Sequence, residues 1–220
     1  MQPYEQRQNC LARLYKNYLG DLDTAKFISA VGATYRIPAL HRLAMYGEID
    51  DRRAAVMALG FLGHYDSNTT VASLLRDSDR GVRLLAREAI HNVWMMAGSA
   101  RQRQRLQVVK RLVFAKDWSQ AAGLAMDLCD ANPNFGEAFN ELAVVNFHLG
   151  HVARALQNCI AAVKLNPYQY HALVSAGHCC LELNRPADAL AWYHRGLGVQ
   201  PDLDQVRHEV HRLRRLLKRA

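Results

Sequence analysis

The chain has 220 residues, with 28 Lys and Arg against 20 Asp and Glu, a formal net charge of +8. Half of its residues are hydrophobic and 22% are charged, the balance of a globular protein rather than a disordered or collagen-like one. No apolar run approaches the ~18 residues needed to span a bilayer. The start, "MQPYEQRQNC", has no basic stretch followed by an apolar one, and the five cysteines form no C-x-x-C pair, so the expectation is a cytoplasmic chain with reduced thiols.

Apolar residues recur at i, i+3, i+4 and i+7, and alternating apolar–polar runs do not recur, which predicts an all-α protein. The first helices are expected at 4–19 and 23–34. The segments "IPALHRLAMYG", "RRAAVMALGFLG", "NTTVASLLRDSD" and "RLLAREAIHNVW" follow. The second and fourth superpose with a step of 31 residues: Ala55 falls on Ala86, Ala58 on Ala89 and Leu59 on Ile90. The links before them, "EIDDR" and "RDSDRG", are short and acidic, and an acidic side chain suits a helix N-terminus as acceptor and as partner of the dipole.

This pattern, "DSDRGVRLLAREA" above all, resembles HEAT-like repeats. The resemblance covers roughly 36–95 and implies paired helices. It also implies a structural role for Arg83 and Arg52, the arginines that in this family bond to a neighbouring repeat. About three such units are needed for an independent core, so the helices at 4–19 and 23–34 are expected to supply the third layer. Some members of the class resemble bilin lyases, but nothing beyond the generic helix pattern supports a chromophore site here.

Gly98 and Ser99, in "MMAGSARQRQRL", break the helical pattern and place a boundary near 98–102. The expected division is 1–97 and 98–220, the two parts packed end to end. Beyond it a different period takes over. Pro133, Pro167 and Pro201 stand 34 residues apart, as do Ala121, Ala155 and Ala189. In the middle unit Phe139, Leu142 and Phe147 supply the apolar face of the first helix. Gly150 permits the turn, by a left-handed backbone or by ending the helix, and Pro167 stops the second helix. Leu173, Gly177, Cys180, Ala189, Tyr193 and Gly196 repeat the plan.

The 34-residue unit resembles the tetratricopeptide repeat, over about 102–203. The first unit departs from it, with Arg105 where a large apolar residue is usual and Val109 where a small one is usual. The last segment, about 204–220, places Val206, Val210, Leu213 and Leu217 on one face and is expected to cap the array. The fold class implied is an all-α solenoid of HEAT-like helix pairs, three tetratricopeptide pairs and a capping helix.

Catalytic motifs are missing: there is no phosphate loop, dinucleotide fingerprint, nucleophile elbow or H-E-x-x-H helix. No catalytic residue, cofactor or metal is expected. The stretch "NPYQYHALVSAGHCC" gathers His171, His178, Cys179 and Cys180. The two imidazoles are about two helical turns apart, too far to chelate alone, and adjacent cysteines diverge by ~100°. Cys180 is expected to be buried as a small hydrophobe, with Cys179 a neighbour without its own function.

Tetratricopeptide arrays bind peptides along a groove lined by their first helices. The resemblance assigns to that groove Arg103, Lys110 and Phe114 in the first unit, Asn140, Val144 and His148 in the second, and His171 and His178 in the third. The mixture implies a protein or peptide partner with acidic character. The clamp that some relatives use for chaperone tails is absent, its places holding Leu106, Lys110, Glu141, His171 and Ser175. The competing expectation is a basic scaffold for nucleic acid, resting on two clusters. The first comprises Arg101, Arg103, Arg105, Lys110 and Arg111; the second Arg207, Arg212, Arg214, Arg215, Lys218 and Arg219. Neither is interleaved with aromatics for base stacking. The reading is therefore a noncatalytic adaptor that holds another protein.

Overall fold

The computed structural model describes residues 3–218, with side chains from Cys10 onward. Arg219, counted above in the second basic cluster, lies outside the described residues. Those residues form thirteen α-helices and one short 3-10 turn, with no strand. They divide into two compact units, Met1–Met96 and Ala97–Ala220.

The first unit contains α1 (Pro3–Asp21), α2 (Thr24–Thr34), α3 (Ile37–Tyr46), α4 (Ile49–Leu62), α5 (Asn68–Leu74) and α6 (Arg80–Met95). Its centre is α4, in which every residue from Ala54 to Gly60 is buried. A helix apolar all round is one surrounded by neighbours, and α1, α3 and α6 all pack on it. A Cβ placed on Gly60 would lie 2.7 Å from the Cβ of Ala89, so α4 and α6 cross at nearly backbone contact. Trp94 is buried with its Nε1–H donated to Asn68 Oδ1 at 2.9 Å, the polar outlet a buried indole needs.

The acidic links behave unequally. Asp79 caps α6, accepting from the Val82 N–H at 2.9 Å. Glu48 occupies the corresponding position before α4 and makes no side-chain cap. Arg52 instead ties the two links together, its Nε and Nη2 each 2.9 Å from an oxygen of Asp77. Arg53 does the same with Asp79 at 2.9 and 2.8 Å. Arg83 donates to the carbonyls of Asp77 and Ser78, holding the turn before its own helix.

The second unit is α7 (Ala100–Phe114), α8 (Trp118–Ala131), α9 (Gly136–His148), α10 (Val152–Leu165), α11 (Tyr170–Glu182), α12 (Pro186–Val199) and α13 (Asp204–Leu217). It opens with a full capping box, Ser99 accepting from the Gln102 N–H and Gln102 from the Ser99 N–H. The 34-residue step extends to the backbone. Lys116, Gly150 and Asn184 all have positive φ, of 60°, 78° and 55°. Each closes the same pair of turn bonds: Lys116 N to Val113 O and Asp117 N to Leu112 O, and their counterparts 34 and 68 residues on. The left-handed alternative for Gly150 is thus the one adopted. At the other turn, Asn132 and Asn166 accept from the N–H two residues on, an Asx-turn around each proline; Gln200 makes the equivalent bond.

Ala121, Ala155 and Ala189 are all completely buried. Within the middle unit the fully buried residues of α9 include Ala138 and Val145, with Phe135 just before it. Phe139 and Phe147, expected to lead that face, are half-buried. One of the two departures in the first unit, Val109, finds a physical reason. Val109, large for its place, is the repeat equivalent of Gly177; the partner of Gly177, Tyr193, has Ala125 as its equivalent. A larger residue on the first helix is offset by a smaller one on the second, and Val109 and Ala125 are both fully buried.

Candidate functional site

The first helix of each unit lies beside the next, so α7, α9 and α11 form one layer of the second unit and α8, α10 and α12 the other. The final helix α13 packs on α12, burying Val206, Val210 and Leu213. Between α11 and α13 the layer is open. A cavity of about 640 Å³ there is lined by Asn140 and Val144 from α9, by Tyr170, His171, Val174 and Ser175 from α11, and by the 202–206 segment. A second cavity, about 580 Å³, adjoins it through Val174, Gln205 and Val206, and reaches His178, Leu181, Tyr193, His208 and Glu209.

This geometry sorts the expected site residues. Asn140, Val144 and His171 line one cavity and His178 lines the adjoining one. Arg103, Lys110, Phe114 and His148 line neither of these two cavities. Arg103 donates to Gly98 O at 2.7 Å and so braces the start of its own helix. Phe114 is 91% exposed at the end of α7. His148 is stacked flat on Trp118, the rings 4.2 Å apart and 9° from parallel.

Lys110, expected in the groove, is held by two acids of its own chain. Its Nζ lies 3.1 Å from Glu137 Oε2 and 3.6 Å from Glu141 Oε1. Glu137, 4% exposed, also accepts from Gln169 Nε2 at 2.6 Å. Burial would lower the Lys110 pKa, but the two carboxylates outweigh it and raise it. Burial pushes Glu141 above the usual carboxylate range against the pull of Lys110. One cation facing two acids leaves no surplus positive charge for a ligand carboxylate. The acids sit on α9 and the cation on α7, so helix spacing within one segment does not reveal the pairing.

The 202–206 segment, at the start of the helix expected to cap the array, also supplies a wall of the cavity. The signal was present: Phe135, Gln169 and Leu203 follow the 34-residue step, and each is the residue preceding a first helix. By that count α13 opens a fourth unit.

The wall holds polar groups that internal bonding does not satisfy. The Asn140 side-chain oxygen is buried without a hydrogen-bond partner, as is the Tyr193 hydroxyl; both residues line the cavities. The ring of His178 meets Tyr193 edge-on at 5.5 Å, and burial lowers its pKa, favouring the neutral imidazole.

The cysteines form a cluster instead of a site with histidine. Cys159, Cys179 and Cys180 are all buried in one apolar core with Tyr193 and Val210. The Cys179 thiol lies against that of Cys159 on α10, and this contact together with burial raises the Cys159 thiol. Among the described residues no three of His, Cys, Asp and Glu are placed to hold a metal ion. One imidazole–hydroxyl pair does form, His41 Nε2 lying 3.0 Å from Ser67 Oγ. Ser67 is wholly buried, so that hydroxyl meets no solvent. No described helix is long and apolar enough to cross a membrane.

No family model matches the chain. Over 104 residues it is 29% identical to tetratricopeptide repeat protein 4 of Mus musculus, and over 112 residues 29% identical to the Homo sapiens protein of that name. These alignments take in 46% and 47% of this chain but only 27% and 29% of the length of those relatives. Among solved structures, the first tetratricopeptide domain of Spaghetti bound to an HSP90 peptide is similar with a TM-score of 0.53 at 20% identity, over 56% of this chain and 97% of that one. The Yersinia enterocolitica type III secretion chaperone SycD, in complex with a peptide of the translocator YopD, gives 0.52 at 13% identity, over 56% and 98%. The fold shared with these neighbours is the helical array of the tetratricopeptide repeat.

Proposed function

We propose that this chain is a noncatalytic adaptor that holds a segment of another protein in the groove between α9, α11 and α13. The observation that carries the reading is the buried Asn140 oxygen, unpartnered in the wall of the larger cavity. A buried acceptor left unmade costs about 1–3 kcal/mol, and a peptide N–H laid along the groove supplies the missing donor. The apolar sides, Val144, Val174, Leu203 and Val206, suit the side chains of such a segment. The complexes of Spaghetti and SycD with peptides support the assignment by analogy of fold.

The first unit is read here as a HEAT-like array that serves as scaffold. The parallel roles of α4 and α6 and the Arg52–Asp77 tie between their links support that assignment.

The test is selection of short peptides from a random display library on the whole chain, followed by Ser175→Trp to fill the cavity. The expected result is peptides that bind the parent chain and lose the variant, while circular dichroism of the variant stays unchanged. Peptides indifferent to Ser175→Trp would place binding elsewhere.

A second reading, nucleic-acid binding, has one observation in its favour: Arg214, Arg215 and Lys218 are exposed on the outer face of α13. Filter binding of single-stranded RNA over a salt series tests it, since phosphate contacts weaken steeply with salt.

A further inference from the structure

The two cavities between α11 and α13 offer a ligand no unpaired carboxylate and no ammonium or guanidinium group. No described Lys or Arg lines either one. Of the carboxylates that do, Asp204 is bonded to Arg207 and Glu209 to Arg212, and Asp202 has a partner of its own. What the smaller cavity does offer is a neutral donor. Tyr193 lines it, fully buried, and its hydroxyl has no hydrogen-bond partner in the chain. Burial raises the pKa of that phenol, so the oxygen keeps its proton at neutral pH. The ring lies against Gly177 with no room between them, which stops the hydroxyl swinging away to bond elsewhere. Beside it His178 stands edge-on, its ring 5.5 Å from that of Tyr193, and burial favours the neutral imidazole. A neutral imidazole has one nitrogen free to accept.

We infer that the smaller cavity is an anchor pocket for the side-chain carboxamide of an Asn or Gln in the bound segment, read by the Tyr193 hydroxyl. The inference rests on the adaptor reading above and specifies its ligand. The carboxamide oxygen accepts from Tyr193, and the amino group donates to the imidazole of His178. Val174, Leu181 and Val206 take up the methylene stem. A carboxylate of the same shape also accepts from the hydroxyl, but it is buried with no cation facing it. A lysine gives up its water and finds the acids already bonded. Both are costly in a desolvated pocket, whereas an amide with its bonds made is not. Val174, Gln205 and Val206 line both cavities, so one segment can fill the two. His171 in the larger and His178 in the smaller are two helical turns apart, about 10 Å. That is the reach of about three extended residues, which sets the spacing between an apolar anchor in the larger cavity and the carboxamide in the smaller.

The experiment runs the display selection in parallel on the parent chain and on Tyr193→Phe, which removes the hydroxyl and keeps the ring. The parent pool should carry Asn or Gln about three residues from an apolar position, and the Tyr193→Phe pool should not. One peptide from the parent pool, fluorescein-labelled and with Gln, Met, Glu or Lys at that position, is then measured by fluorescence anisotropy. Gln should bind about tenfold tighter than Glu or Lys and severalfold tighter than Met. On Tyr193→Phe the advantage of Gln over Met should vanish. Since the hydroxyl has no partner in the free chain, Tyr193→Phe should keep the circular dichroism and the thermal midpoint of the parent. A clearly lowered midpoint would mean the hydroxyl is already engaged, and overturns the inference. So does a parent pool without the carboxamide position, or a Gln preference that Tyr193→Phe leaves intact. In those cases peptides that still lose binding to Ser175→Trp leave the adaptor reading standing. If no selected peptide depends on Ser175, both fall.

Discussion

A Cβ built on Gly177 would lie 2.3 Å from the ring of Tyr193, closer than any side chain tolerates. The relationship joins α11 to α12 in the third repeat, where Tyr193 is fully buried and its ring occupies the room that the Val109 side chain fills in the first repeat. Alanine at 177 should therefore cost about 1–3 kcal/mol through overpacking. The double variant Gly177→Ala, Tyr193→Cys, which reproduces the pair Ala143 and Cys159 of the preceding repeat, should recover part of that loss. Chemical denaturation of the parent, both single variants and the double variant checks this; strict additivity would contradict the packing relationship.

Lys116 adopts the left-handed backbone that Gly150 adopts one repeat later. For a residue with a Cβ this conformation costs roughly 1–2 kcal/mol, and glycine relieves it while adding freedom to the unfolded chain. Lys116→Gly should stabilise the protein by about 0.5–1 kcal/mol, and Gly150→Ala should destabilise it by about 1 kcal/mol. Thermal midpoints moving in opposite directions are the expected readout.

Asp79 accepts from Arg53 and from the Val82 N–H, and these bonds hold its carboxyl below the usual range. A carboxyl with a depressed folded pKa contributes stability above its unfolded value, about 3.9, and that contribution is lost as pH falls through the folded pKa. Asp79→Asn should be less stable than the parent at neutral pH, with the difference shrinking steadily below about pH 4. Urea titrations across that range measure it.

The carboxylates around Lys110 should respond unequally. Glu141 is held above its usual range by burial, so its ionised form opposes folding as pH rises through its unfolded and then its folded pKa. Glu141→Gln is expected to be neutral or mildly stabilising at pH 7. Glu137→Gln removes the buried charge that bonds both Lys110 and Gln169, and should cost about 1–3 kcal/mol, the half-exposed Lys110 keeping Glu141 and solvent as partners. Denaturation of the two variants at one pH distinguishes them.

Four of the five thiols, Cys129, Cys159, Cys179 and Cys180, are buried, and Cys10 is half-buried. Burial pushes Cys129 up to about 12, so it presents little thiolate at neutral pH. Reaction with Ellman's reagent should titrate Cys10 in the native chain and the other four only on unfolding. Cys10→Ser should then abolish the native reaction.

Repeat length, helix order and small-residue positions were written in the chain itself. Pro133, Pro167 and Pro201, and Ala121, Ala155 and Ala189, mark places where every repeat meets the same local demand. A proline must end a helix, and an alanine must let two helices approach. Such demands depend on neighbours a few residues away and so appear as a period. The tertiary structure decided what the period could not. Arg103 and Lys110 occupy first-helix positions like those of Asn140 and His171, yet Arg103 is spent on Gly98 O and Lys110 on Glu137 and Glu141. The wall contributed by the 202–206 segment and the contact between the Cys159 and Cys179 thiols likewise arise where separate helices converge. Charge in a groove is the sum over every helix that faces it, and that sum exists only once the helices are packed.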